Sequence, residues 1–346
     1  MRKCYISSVA ILIILTVAAY AQNKESLSNN SNDVEYDVYY DFTPRSTGLN
    51  ILFMFEKPVR VGLRINLPKT IPGKQEIHEI KFDPEPTKTF SQNGNDYAEF
   101  LVPVSRKTVR VNVHVRAKVF RYDLATAMKS NQKLIDDKEN LAVYLQPERM
   151  IECNDVMIQQ IAQSINGADQ IKTVHNIYNF VISYLDVDVS KAKGVGAAQT
   201  AQAKKGKCID YCDLFVALCR AKQIPARVVA GYQTHFSFSP KHSWVEVYLS
   251  EYGWVPFNPT QYKWKSDSDL DLEFYRMEPQ FLYFTKIRND KLLNYNYFYA
   301  FPYWNKKSVE KIRSVVESIE FTKPLHKKHD SRQEAEKRKT FNQSQS

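Results

Sequence analysis

Three residues in the C-terminal half of this 346-residue chain have the types and spacing for nucleophilic acyl chemistry: Cys208, His242 and Asn258. Cys208 closes the triplet Gly206-Lys207-Cys208 and opens an amphipathic stretch that stops before Ile224-Pro225, which places it at a helix start. Unpaired amides and the positive dipole end favour thiolate over thiol there, and the same amides face the place where an oxyanion would form. His242 opens the alternating run HSWVEVYL, and Asn258 ends the shorter run WVPFN, just before Pro259. A turn at Glu251-Tyr252-Gly253 makes the two runs antiparallel neighbours and sets positions near 242 and 258 side by side. Asn258 then holds one imidazole nitrogen while the other faces Cys208, giving a nucleophile, its acid/base partner and an orienting group.

The other candidates read differently. His326 and His329 fall in a polar tail, His78 and His114 in a strand-rich region, and His175 on a helix. His235 is near, but in a loop of Thr, Phe, Ser and Pro. Cys212 and Cys219 share a helical face with Cys208 and read as small buried apolar residues. About 10.5 Å of helix separates those two, too far for a bridge, although either could pair with Cys153. Gln199 and Gln202, in a Gly/Ala-rich loop before Cys208, are the candidates for a second oxyanion donor. Arg227 reads as a strand residue or ion-pair partner, and Asp210 and Asp213 as residues favoured by the helix dipole. No Cys/His cluster has structural-zinc spacing, and the chemistry calls for no cofactor.

The elements that must position these residues follow from periodicity. Ile158, Ile161, Ala162 and Ile165 mark one helix, and Ile171, Val174, Ile177, Tyr178 and Val181 a second, with Asp169 as its cap. A third helix starts near Cys208, and strands are expected over 226–232, 243–249 and 254–257. Upstream, Tyr36 to Tyr40, Asn50 to Phe55 and Val109 to Val115 are short strand-like runs, the last alternating strictly. The fold class is therefore α+β: a helical half packed on an antiparallel sheet, preceded by an all-β, sandwich-like domain. Phe281 to Trp304 is rich in aromatics and reads as a further sheet or a domain interface, with a peptide or glycan groove as the alternative.

The ends read as appendages. Arg2 and Lys3, the apolar run Val9 to Ala19 and Ala19-Tyr20-Ala21 have the layout of a cleaved secretory signal, so residues 1–21 are expected to be a leader and the protein to be periplasmic or extracellular. Segments 22–33 (polar spacer), 34–121 (β-domain), 122–265 (core), 266–321 (aromatic-rich extension) and 322–346 (basic tail) follow. The tail has seven Lys/Arg against three Asp/Glu and carries much of the net charge of +10. That charge suits an anionic surface, while no nucleic-acid-binding motif is present and no nucleic acid partner is expected.

With these residues in view, the stretch from about Asp155 to Gln261 resembles the transglutaminase-like superfamily. Its core pairs a G-x-C helix with H-x-W and W-x-x-x-D-P strands, read here as Gly206-Lys207-Cys208, His242-Ser243-Trp244 and Trp254-Val255-Pro256-Phe257-Asn258-Pro259. The run Ile224 to Tyr232 (IPARVVAGY) matches the strand between them, and the upstream domain is similar to the β-domain preceding this core in exported bacterial members. The resemblance implies a papain-like Cys-His core that acts on an amide of a protein or peptide, cell-wall material included, through a Cys thioester. Hydrolysis is favoured slightly over cross-linking; a transglutaminase-fold binding protein of faded activity, recognising peptide or glycan, is the alternative. The family's third residue is usually Asp, and Asn258 can fix a tautomer without stabilising an imidazolium with a full charge.

Overall fold

The computed structural model describes residues 30–45, 60–103, 108–130, 140–188, 194–234, 240–260, 266–301 and 311–321. The expected leader, the Asn50 to Phe55 run, His235 and the basic tail lie outside these residues.

The N-terminal part is built from β1 (Ser31–Arg45), β2 (Arg60–Leu67), β3 (Gln75–Asp83), β4 (Lys88–Gln92), β5 (Asn95–Pro103) and β6 (Val109–Phe120). All its pairings are antiparallel: β6 lies between β1 and β3, while β5 lies between β2 and β4. Alternation along β6 buries Val111, Val113 and Val115 and leaves Arg110 exposed. Those valines meet Tyr36 and Val38 of β1 and Leu63, Ile65 and Phe100 of the other sheet in one apolar core.

The second part begins with β7 (Tyr122–Asp123) and α1 (Leu124–Ser130), followed by α2 (Val156–Ser164) and α3 (Gln170–Tyr184). Side chains of Asp155 and Asp169 cap α2 and α3 by accepting from backbone N–H groups of the first turn. Next come β8 (Asp186–Val187), α4 (Ala197–Ala203), β9 (Lys205–Gly206), α5 (Cys208–Ala221), β10 (Ala226–Gln233), β11 (Lys241–Leu249) and β12 (Gly253–Phe257). The stretch 194–203, expected as a loop, holds α4: its Ala and Gln residues are good helix formers, and Lys204 closes it in the left-handed conformation. α5 is the central helix, buried along almost its whole length among α2, α3, α4 and the sheet.

The remaining elements are α6 (Asp267–Tyr275), β13 (Arg276–Met277), β14 (Phe281–Thr285), β15 (Tyr299–Ala300) and β16 (Lys311–Phe321). They form no separate unit. β14 pairs with β10 and completes the core sheet in the order β12-β11-β10-β14, β15 pairs with β2, and β16 pairs with β1. Alternation along β14 sends Phe281 and Tyr283 into the core around α5, and Leu282 and Phe284 into the core of the N-terminal sheets. The central sheet is thus covered on both faces, which is why β10 is buried at every residue and shows no polar alternation. The aromatic run is the seam: Tyr232 of β10 packs on Phe284 and Phe298 at centroid distances of 4.5 and 5.1 Å, and on Tyr36 of β1 at 5.6 Å.

A turn between β2 and β3 plugs into the same seam. Gln75, fully buried, accepts from the Tyr283 N–H at 2.6 Å and donates to the Tyr283 carbonyl at 2.9 Å, so its amide imitates a strand neighbour for β14. Beside it the Lys74 ammonium bonds the Glu246 carboxylate and, at 3.0 Å, the Trp254 carbonyl. Glu246 also accepts from Arg227 at 2.8 Å, directly opposite on β10, and the guanidinium lies 3.7 Å from the centre of the Trp254 ring. Arg227 is thus an ion-pair residue, in a network that joins the two halves.

Candidate active site

Cys208 is the first residue of α5, and close packing there selects the residues around it. A Cβ on Gly206 would lie 2.5 Å from the Asp210 Cβ, so only glycine lets the chain pass this close to the helix start. The Asp210 carboxylate is buried and accepts from the Lys207 N–H at 3.1 Å and the Val195 N–H at 2.8 Å. It ties the 194–196 segment to the first turn of α5 and so does more than answer the helix dipole. Asp213, also fully buried, is clamped by Arg288, whose Nε and second guanidinium nitrogen donate to the two carboxylate oxygens at 2.7 and 2.8 Å. These two fixed carboxylates set the angle at which α5 presents Cys208.

His242 stands at the start of β11, opposite Gly231 of β10. A Cβ on Gly231 would fall 1.9 Å from the Leu282 carbonyl oxygen and 2.6 Å from the Trp244 ring, so glycine allows β10, β14 and the H-x-W strand to close up here. The imidazole packs beside the rings of Trp244 and Phe281 at 6.3 and 6.0 Å. Its Nε2 lies 3.0 Å from Oδ1 of Asn258, the residue after β12. An amide oxygen only accepts, so Nε2 carries the proton and Nδ1 is left with a lone pair. α5, which Cys208 opens, packs against β11, and the backbone N–H of Ser243, the neighbour of His242, favours the Cys208 thiolate. The turn at 251–253 closes with Gly253 at φ 68° and brings Asn258 back to His242 as the spacing suggested.

Electrostatics set the resting protonation. Burial pulls the His242 imidazole down to about 4, and the Asn258 hydrogen bond offsets only part of this. Burial pushes the Cys208 thiol up, against the backbone N–H groups of Ser243 and Ile209 and the charge of Lys207. The helix start was expected to favour thiolate; here desolvation outweighs it, and at neutral pH the pair rests as thiol and neutral imidazole. In that state the chemistry the arrangement can offer is general-base removal of the thiol proton, in place of a stored thiolate–imidazolium pair.

The identity of the third residue has a measurable consequence. Asn258→Asp places a carboxylate against Nε2, which favours imidazolium and raises the His242 pKa by about 1–3 units. Because His242 must be neutral to accept a proton, the acid limb of any Cys208-dependent rate moves upward by the same amount. A pH profile of Cys208 acylation checks this, and an unmoved limb would count against His242 as the base.

Gln199 and Gln202 lie on the exposed face of α4, opposite Ala197, Thr200 and Ala201, which α4 buries. Cys153, Cys212 and Cys219 are separate buried free thiols. His175 is buried and bonds Asp271 at 2.8 Å. Among the described residues no group of three or more His, Cys, Asp or Glu is placed to hold a metal ion. Sequence reading missed Lys74, Gln75 and Arg288, whose partners lie far off along the chain; their only local sign was polarity inside otherwise apolar or turn-like segments.

Comparison with known proteins agrees with this fold. Residues 159–259 match the transglutaminase-like superfamily core, a span that begins in α2 and ends just past Asn258. Over 74 residues the chain is 36% identical to YebA, an uncharacterized protein of Bacillus subtilis (strain 168); the match takes in 17% of this chain and 10% of YebA. A crystal structure of a Cytophaga hutchinsonii protein, named only provisionally as a cysteine protease, superposes with a TM-score of 0.57 at 15% identity, covering 87% of this chain and 96% of that one. That likeness extends the shared fold to the N-terminal sheets. The periplasmic domain of TgpA from Pseudomonas aeruginosa overlaps 66% of this chain and 87% of its own at 19% identity, with a TM-score of 0.33, too low for any inference. Residues 159–259 thus carry a transglutaminase-like superfamily core, whose helix start and paired strands hold Cys208, His242 and Asn258.

Proposed function

We propose that this protein is a thiol enzyme that transfers an acyl group from an amide, with Cys208 as nucleophile, His242 as acid/base and Asn258 as orienting residue. The observation that carries this reading is the Nε2–Oδ1 contact of 3.0 Å between His242 and Asn258, made on β11, the strand that packs against the helix opened by Cys208. Nδ1 of His242 takes the thiol proton as sulfur attacks the amide carbonyl. The carbon–nitrogen bond then breaks, His242 returns the proton to the departing amine, and a thioester remains on Cys208. Water resolves it in a hydrolase and an amine in a cross-linking enzyme; hydrolysis of a peptide or protein amide, cell-wall peptides included, is the outcome we favour. The basic start and apolar run of residues 1–21 support an exported enzyme, and the basic tail a contact with anionic surfaces.

The test is intact-protein mass spectrometry after incubation with a glutamine-containing peptide, with and without a small primary amine. The expected result is a Cys208-linked acyl adduct or its turnover product in the wild type and neither in Cys208→Ala. Equal amide cleavage and amine incorporation in the two proteins would overturn the mechanism. The half-buried, protonated thiol also suits a binding protein that has lost its chemistry; bound peptide with no covalent product would select that reading.

A further inference from the structure

Two aromatic rings stand beside the His242 imidazole, and they reach it from different parts of the chain. Trp244 lies two residues on along β11. Phe281 opens β14, outside residues 159–259, with its ring centre 6.0 Å from that of the imidazole and 5.2 Å from that of Trp244. β10 runs between β11 and β14, so those two strands stand about 9–10 Å apart. Gly231 closes that gap. It faces His242 on one side and Tyr283 on the other, and with no side chain of its own it lets rings from both strands meet over β10. The approach to β14 is fastened as well. Arg121 holds the Glu278 carboxylate at 3.0 and 3.1 Å, and Asn32 of β1 donates to the Pro279 carbonyl at 2.7 Å. Thr234 bonds the Gln280 carbonyl through its N–H at 2.8 Å and its hydroxyl at 3.2 Å. Three consecutive residues are thus tied down just ahead of Phe281, which is itself buried in the core.

Titratable groups on the surrounding elements are engaged or neutral. The Lys241 ammonium lies over the Phe298 and Tyr299 rings, and Glu246 sits in its network with Lys74 and Arg227. Asp210 bonds backbone N–H groups, and burial keeps the Tyr283 phenol protonated. With the Cys208 thiol also protonated at neutral pH, burial and the Asn258 hydrogen bond are what act on the imidazole.

We infer that Phe281 is a positioning residue of the acyl-transfer reaction: brought in from outside residues 159–259, its ring walls the His242 imidazole, holds it in the orientation in which Nε2 meets Asn258, and keeps water off that side. This deepens the acyl-transfer reading above and rests on it. The hydrogen bond at Nε2 fixes one atom of the ring. Packing from the side fixes the swing of the rest, and with it the direction of the Nδ1 lone pair. Removing the wall therefore has two separable effects. The imidazole gains freedom, which slows proton transfer, and it gains water, which favours imidazolium. Because Asn32 pins the residues ahead of Phe281, the N-terminal sheets take part in setting the base.

The test follows full-length Phe281→Ala and Phe281→Leu by two readouts. One is single-turnover acylation of Cys208 by p-nitrophenyl acetate across pH. The other is NMR titration of the His242 imidazole in the same variants carrying Cys208→Ala, which needs no reaction. Phe281→Ala should slow acylation at neutral pH by about 10-fold. It should also move the acid limb and the imidazole titration up by about 1 unit or more, toward the ordinary histidine value. Phe281→Leu keeps an apolar cover and should titrate as the wild type does. A merely structural loss would lower the urea midpoint and leave the titration where it was. Should Phe281→Ala not fold, Phe281→Val is read in its place. An unmoved titration in the truncated variant, or an equal shift in Phe281→Leu, overturns the role of Phe281 and leaves the Cys208 reading intact. Acylation that persists in Cys208→Ala, or is absent from the wild type, overturns both.

Discussion

His242→Ala should slow acylation of Cys208 by about 10²–10⁴-fold at neutral pH, the range over which a positioned general base contributes. The base matters here because burial pushes the thiol up, leaving very little spontaneous thiolate. In the wild type, neutral imidazole removes the proton during attack, so the rate should stay level from neutral pH down to about 5 and fall only as His242 is protonated near 4. In the variant the thiol must ionise unaided, and the remaining rate should rise about tenfold per pH unit until it passes the raised thiol value. Single-turnover acylation with p-nitrophenyl acetate, followed by mass spectrometry across pH, reads both size and shape. A variant that keeps the flat wild-type profile would show that the proton goes elsewhere.

Lys74→Met should lower the stability of the folded protein by about 3 kcal/mol or more, the cost expected when one partner leaves a buried ion pair. Glu246 is completely buried, and burial alone would push its carboxyl up; the charges of Lys74, Arg227 and Lys286 overcome this and hold it well below the usual carboxylate range. Lys74 has a desolvation cost of its own, which pulls it down to about 8 even beside Glu246. The network is therefore a poor source of net stability as a whole, and costly to break in part. The sign with pH follows. Glu246 has a folded pKa below its unfolded value of roughly 4.3, so its contribution is present above that value and is lost as pH falls. Removing Lys74 raises the folded pKa, so acid unfolding of the variant should begin at a higher pH. Urea titrations at neutral pH and at about pH 4 measure the loss. A wild-type midpoint would mean that Arg227 and Lys286 satisfy Glu246 without Lys74. His242, Trp244 and Glu246 alternate onto one face of β11, so the same variant should also loosen the strand that carries the base.

These two sites were not equally legible in the sequence. Cys208, His242 and Asn258 come from a helix start and two strands joined by one turn, so local periodicity was enough to align them. Gly206 and Gly231 carried a second local signal, since glycine marks close backbone approach, and both prove to be contact points of the site. Lys74 gave no such sign. Its partner Glu246 lies 172 residues away, and a lysine in a Pro-Gly turn reads as solvated. Asp213 met the same difficulty: a helix dipole accounts for an acid in the first turns, and only the fold shows that Arg288 clamps it. The strand-rich start was readable from alternation, but nothing local announces that β15 and β16 return to β2 and β1, because strand pairing has no sequence range. The Gly/Ala-rich stretch before Cys208 was misread because glycine drew attention away from the Ala and Gln run that forms α4.

The pairing of β16 with β1 has a bearing on how this chain is made. β1 is synthesised before every other element described here and β16 after them, so one edge of β1 waits with unsatisfied backbone groups until both the N-terminal sheets and the core have emerged. The N-terminal domain therefore cannot be finished as an independent early step, and contacts this distant in sequence slow its completion. Until then the open edge is a template for pairing with other chains. β16 is thus a checkpoint on biogenesis: a chain cut short before Lys311 keeps Cys208, His242 and Asn258 yet emerges with an uncapped sheet, inclined to aggregate.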